Sequence, residues 1–246
     1  MSVNYKLATT RAYEFLLSEE FLLREDFNMY KKLSNFPLPL KDYAMQEHRL
    51  VSYTNLAKEM GITYLQLKKL LKKSWGTVIR NNYSYTIAYD DQLNEGAQLF
   101  TIAHEIGHIE MGHLVKEQYR TALFRIEENY LLSPDSELYK EMDQEADCFA
   151  RNLLCPIQLL RHMKRTYSAA DLSQLFGITL SAAKSRINFA KNDLYYSNDI
   201  DSWELVARYF DFLKHIEDTY TCTASNLYIQ QEFNNFLFSN ASDFTI

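Results

Sequence analysis

Apolar residues recur along most of this chain at three- and four-residue intervals and alternate in one short stretch, a pattern that predicts a helical protein with a small sheet. Residues 10–30 read as helix, with Tyr13, Phe15, Leu16, Phe21, Leu22 and Phe27 available for packing. Pro37 and Pro39 then break the period, so residues 35–40 are read as a connector. Residues 49–54 have strand character. Residues 55–73 are helical, with Gly61 at a turn and Leu56, Ile62 and Leu67 spaced as in a helix-turn-helix. The clearest hairpin follows: residues 76–80 and 83–89 are two β-rich runs around Asn81-Asn82.

The second half is helical throughout. Asn94, Glu95 and Gln98 supply a helix start for the apolar stretch that reaches His113, and Gly112 supplies a place to stop. Leu138, Met142, Ala146, Phe149 and Leu153 share one face of another helix. Pro156 suits the first turn of a helix over 157–165, and residues 170–187 repeat the helix-turn-helix spacing. Residues 203–216 are amphipathic, and beyond Thr219 the chain is rich in Asn, Ser, Gln and aromatics with no chemical pattern.

Composition narrows the picture. Across 246 residues, 47% hydrophobic and 24% charged content is that of an ordinary globular chain. The 18 Tyr and 15 Phe are scattered through every segment, which suits packing rather than a platform for stacked bases. A net charge of -6 does not suggest a nucleic-acid coat. Locally, however, residues 161–191 carry six basic residues against Asp171 alone, which keeps DNA open as a partner. Docking of that basic segment on the core is favoured over DNA reading, because helix-turn-helix spacing also serves any helical hairpin. From Asp193 onward nine acids face Arg208 and Lys214. No apolar run approaches a membrane span and the first residues have no signal-peptide core, so no membrane is expected and the cytoplasm is the expected location. Cys148, Cys155 and Cys222 form no C-x-x-C pair and are read as reduced thiols.

The chemistry concentrates at His104, Glu105 and His108, an H-E-x-x-H. On a helix the two histidines lie one turn apart on one face, where both imidazoles can reach one small cation. Glu105 is about a hundred degrees further round, placed to accept a proton from a water beside the metal without being forced to bind it. The plain alternative is a surface helix with two solvated histidines. Ile102, Ala103, Ile106, Ile109 and Met111 argue against it, since they put the polar trio on an apolar helix where uncompensated polar groups would be costly.

A catalytic zinc site takes three protein ligands and leaves a fourth position to water. The helix around residues 141–156 offers acids for the third. Asp143 and Asp147 share a face, so one could bind metal while the other hydrogen-bonds a ligand histidine and fixes its tautomer. Glu141 and Glu145 share a different face and are the rivals. His113 falls about half a turn from His104 and points away on a straight helix, so it is read as structural or as an outer group supporting a ligand.

The run Phe100-Thr-Ile-Ala-His-Glu-Ile-Gly-His108, followed by Glu145-Ala-Asp-Cys-Phe-Ala-Arg-Asn-Leu-Leu-Cys-Pro156, resembles the ImmA/IrrE family of bacterial and phage metallo-endopeptidases. The likeness extends from about residue 51 to about residue 190. It implies an α+β fold: a mostly helical zincin-like peptidase core with a small antiparallel sheet, followed by a helical subdomain. The corresponding division is an N-terminal helical segment (1–48), the peptidase core (49–160), a basic helix-turn-helix-like subdomain (161–192) and an acidic helix and tail (193–246). By motif, His104 and His108 would be ligands to one Zn2+ per chain, Glu105 the general base, and Asp143 the third ligand where the family usually has Glu. Asp147 is then the outer carboxylate. The resemblance also implies the substrate, a helix-turn-helix repressor of a phage or mobile element. The contrasting reading is a DNA- or repressor-binding regulator with a structural or inactive metal site.

Overall fold

Side-chain oxygens start the helices. In the computed structural model, which describes residues 3–18, 36–81, 84–115, 137–163, 167–192, 200–210 and 213–214, Asn4, Ser52, Thr63, Asn94 and Ser168 each accept the backbone N–H three residues on. Each such cap is worth about 1 kcal/mol. The helices so begun are α1 (Tyr5–Leu17), α3 (Tyr53–Glu59), α4 (Tyr64–Leu70), α5 (Glu95–Glu110) and α8 (Ala169–Phe176). The others are α2 (Leu40–Glu47), α6 (Glu137–Leu154), α7 (Ile157–Met163), α9 (Leu180–Asn192) and α10 (Ile200–Arg208).

The strands β1 (Arg49–Ser52), β2 (Gly76–Asn81) and β3 (Ser84–Tyr89) form one sheet in the order β1-β3-β2. The hairpin β2-β3 is antiparallel, pairing Gly76 with Tyr89 and Asn81 with Ser84. The expectation of a purely antiparallel sheet needs correction, because β1 pairs with β3 in parallel, Arg49 opposite Thr86. The chain leaves β1 through α3 and α4 and comes back as β2, which runs against β1; the hairpin then reverses it once more, so β3 runs with β1 beside it. The predicted strand over 49–54 also ends early, since Ser52 caps α3 and turns Tyr53 and Thr54 into helix. Helix α2 was not expected. The first helix begins earlier than expected, at Tyr5, and stops at Leu17, where Ser18 turns extended; residues 19–30 of the expected helix and the C-terminal tail lie outside the described residues.

Helix α5 packs against both the sheet and α6, and α1 packs chiefly on α6 while also touching α5. The main cluster of buried side chains runs from Ala8 to Leu213 and includes Leu16, Ile87, Ile102, Ile106, Phe149, Leu153, Phe176 and Tyr209. The 161–192 stretch is part of that cluster: Phe36 stacks edge-on to Phe176 at 4.8 Å between ring centres. One of its basic residues is also committed to packing. Arg186 is buried and donates to Cys155 O and to Asn152 Oδ1.

A polar knot secures the start of β2. Lys68 Nζ donates to Ser74 O at 2.7 Å and to Asp90 Oδ2 at 2.8 Å, while Asp90 Oδ1 accepts from Tyr64 and from the Gln92 N–H. Burial alone would raise the Asp90 carboxyl. Its bonds to Lys68, Tyr64 and Gln92 outweigh that and hold it below the usual carboxylate range.

Candidate metal centre

Two close approaches bring the chemistry together. A Cβ at Gly107 would stand 3.1 Å from both Ala146 O and Phe149 Cδ1, so the bare backbone of α5 there lets α6 come near. A Cβ at Gly76 would meet Thr101 Cγ2 at 2.4 Å and Glu105 Oε1 at 2.8 Å, so β2 begins directly against the Glu105 carboxylate.

Across the first contact, His104 and His108 of α5 face Asp143 of α6. Their ligand atoms all lie within 4.8 Å of one another. The two Nε2 atoms are 3.1 Å apart, and His104 Nε2 is 3.3 Å from Asp143 Oδ1. A tetrahedral zinc ion with bonds of about 2.0–2.1 Å separates its ligand atoms by about 3.3 Å. The donor set and its spacing therefore fit a small divalent cation.

The remaining ring nitrogens are engaged from behind. His104 Nδ1 is 3.0 Å from Asp147 Oδ1, the bond the sequence anticipates, and Arg151 holds the other oxygen of Asp147. His108 Nδ1 is 2.8 Å from Nδ1 of His113, whose Nε2 is 3.0 Å from Glu145 Oε2. Glu145 Oε1 accepts the Asn4 N–H at 2.7 Å. The rival acid Glu145 thus faces His113 and α1, not the histidine pair.

His113 reaches that position because α5 does not continue straight. Met111 caps the helix, Gly112 takes a left-handed φ of 68°, and the His113 N–H bonds His108 O while the Gly112 N–H bonds Ile109 O. This is a Schellman turn, which sets the residue after the glycine beside the residue five positions earlier. The glycine followed by histidine at the helix end was the signal for it.

Burial governs the electrostatics. It pushes the Glu105 carboxyl up to about 7, opposed by His104 and reinforced by the charge of Asp143. It holds His108 well below its ordinary value, with His104 and His113 acting the same way. At His104 burial disfavours the proton, yet bonds to Asp143 and Asp147 prevail and push the pKa up to about 10. Tyr139, one turn before Asp143, is raised by burial and then by the Asp143 and Glu105 carboxylates.

An H-E-x-x-H helix crossed by a carboxylate-bearing helix defines a centre able to hold a metal, with a buried acid beside it. The family described as Peptidase_M78, IrrE N-terminal-like domain, matches residues 57–188. The chain belongs to this family and is a metallopeptidase of the ImmA/IrrE type, whose chemistry implies a metal cofactor. Searches of curated proteins and of solved structures return no match. Among the described residues no helix is long and apolar enough to cross a membrane.

Proposed function

We propose that this chain is a zinc endopeptidase that cuts a protein substrate, with His104, His108 and Asp143 holding one zinc ion and Glu105 acting as general base. The observation that carries the reading is the convergence of two imidazole nitrogens and one carboxylate oxygen beside a buried glutamate. When bound, such an ion acidifies a water and polarises a carbonyl. Glu105 takes the proton of the attacking water on its carboxylate and passes it to the departing amine nitrogen. Burial raises the pKa of this carboxyl, which favours its taking up that proton.

Strand β2 supports a role for the sheet in holding substrate. Its partner among the described residues is β3 on one side, and its first residue abuts Glu105. An extended peptide added to the free side of β2 would run past the carboxylate. The family resemblance points to a helix-turn-helix repressor as the natural target.

The test is incubation of zinc-loaded protein with a helix-turn-helix repressor, taken from an adjoining reading frame where one encodes it, with chelator and Glu105→Gln as controls. Cleavage by the wild type, lost with chelator and reduced at least about a hundredfold in Glu105→Gln with zinc retained, is the expected result. A Glu105→Gln variant that cuts at the wild-type rate would refute the mechanism. Chelator-insensitive DNA shifts without cleavage would favour the regulator reading instead.

A further inference from the structure

The two candidate histidine ligands are supported in different ways. His104 rests directly on a carboxylate, whereas His108 rests on a second imidazole. A carboxylate can only accept, so it fixes His104 with its proton on Nδ1. An imidazole can accept or donate, so the contact between His108 and His113 does not by itself say which ring carries the shared proton.

The rest of the chain resolves it. Glu145 Oε1 already accepts the Asn4 N–H, and Oε2 is left facing His113 Nε2 at 3.0 Å. Both carboxylate oxygens are acceptors, so His113 Nε2 must carry a proton. His113 is fully buried and Glu145 is 6% exposed, so water does not compete at this contact. When His113 is neutral, that proton on Nε2 leaves a lone pair at its Nδ1, and His108 Nδ1 donates to it. His108 Nε2 is then left without a proton, its lone pair facing His104 Nε2 and Asp143. We propose that His113 and Glu145 are positioning residues that set the tautomer of His108 and aim its Nε2 lone pair at the metal, anchored at their far end by the backbone of Asn4. This rests on the assignment of His108 as a ligand.

Two features of the fold make the relay rigid. The Schellman turn fixes His113 through its backbone, with two main-chain bonds and a left-handed Gly112. Glu145 is fixed from α6 and held by the first residues of α1, itself packed on α6. Tyr5, the next residue, donates its hydroxyl to Gln144 at 3.0 Å and reinforces the same seam.

The experiment measures zinc affinity by chelator competition, alongside nitrogen-proton correlation spectra of the histidine rings in the zinc-loaded protein. In the wild type, His108 should carry its proton on Nδ1 and His113 on Nε2. His113→Phe, which keeps a ring but no nitrogens, should bind zinc 10- to 100-fold more weakly. His113→Gln, whose amide can accept from one side and donate to the other, should recover most of that loss. A proton on His113 Nδ1 in the wild type overturns the proposal, and so does His113→Phe binding zinc at wild-type affinity or His113→Gln binding no better than the phenylalanine variant. The spectrum of the wild type decides the matter even where a substituted chain does not fold. A wild-type protein that binds no zinc overturns the ligand assignment as well, whereas the other adverse results leave that assignment standing.

Discussion

Replacing Gly107 with alanine places one methyl group where α5 and α6 touch, between the two histidines' helix and the helix of Asp143. The added carbon would sit 3.1 Å from Ala146 O and Phe149 Cδ1 and 3.2 Å from Ala146 Cα. Comfortable contact between such atoms begins at about 3.5 Å, so the helices must separate by about 0.4 Å. Two of the three neighbours are backbone and cannot swing away. Overpacking of this kind costs about 1–3 kcal/mol, against a gain of about 1 kcal/mol from alanine's better helix propensity. The net is a loss of about 1 kcal/mol, or about 2–4 °C in Tm for a chain of this size. Function should suffer more than stability. A site of this kind is held to within about 0.5 Å, and a shift of about 0.4 Å between the imidazoles and Asp143 uses up most of that margin. Zinc affinity by chelator competition is therefore expected to fall about tenfold, with far less change in denaturant midpoint. A Gly107→Ala protein with wild-type affinity and wild-type stability would show that this contact does not set the distance between the helices.

Three further outcomes follow from the same geometry. Asp147→Ala removes the acceptor behind His104 and should weaken zinc binding 10- to 100-fold, whereas Asp147→Asn, which keeps one oxygen for Nδ1–H, should lose less; chelator titration separates them. Saturating zinc at a thousand times its Kd should stabilise the protein by about 4 kcal/mol in thermal unfolding, an effect that Asp143→Ala should largely remove. Asp90 is held below its ordinary pKa of 3.8, so it binds its proton more weakly when folded than when unfolded. Its stabilisation is present above about pH 4 and is lost as pH falls through the lowered value. The stability gap between wild type and Asp90→Asn, read from denaturant curves, should shrink on acidification, and a gap that widened would contradict the Lys68 pairing.

Much of this arrangement was legible in residue order. The hairpin, the Asn94 cap, the Gly61 turn and the face shared by His104 and His108 are local matters of period and capping, and they appear where the sequence puts them. Asp143 and Asp147 were legible as a pair because four residues of helix fix their spacing. The direction of β1 was not legible, since a four-residue strand carries no mark of whether its distant partner runs with it or against it. Nor was the helix at residues 40–47, which is short and follows a proline-broken segment. His113 was read as structural or as an outer group behind a ligand, and it stands behind His108; its direction was not legible, because angular reckoning assumes a straight helix and Gly112 reverses the chain there. The closeness of Gly76 to Glu105 depends on the sheet docking over α5, which no local pattern encodes.

Helix α1 lies outside the 57–188 stretch that defines the family, yet it supplies the wall behind the acidic helix. Thr9 meets Asn152, Tyr5 meets Gln144, and the Asn4 amide ends the line that starts at His108. A fragment trimmed to the shared stretch would keep every residue of the motif while baring that flank to water and leaving Glu145 without its amide. In this chain the shared stretch is therefore smaller than the packed unit, and grafting the two motif helices into another scaffold would call for a substitute for that wall.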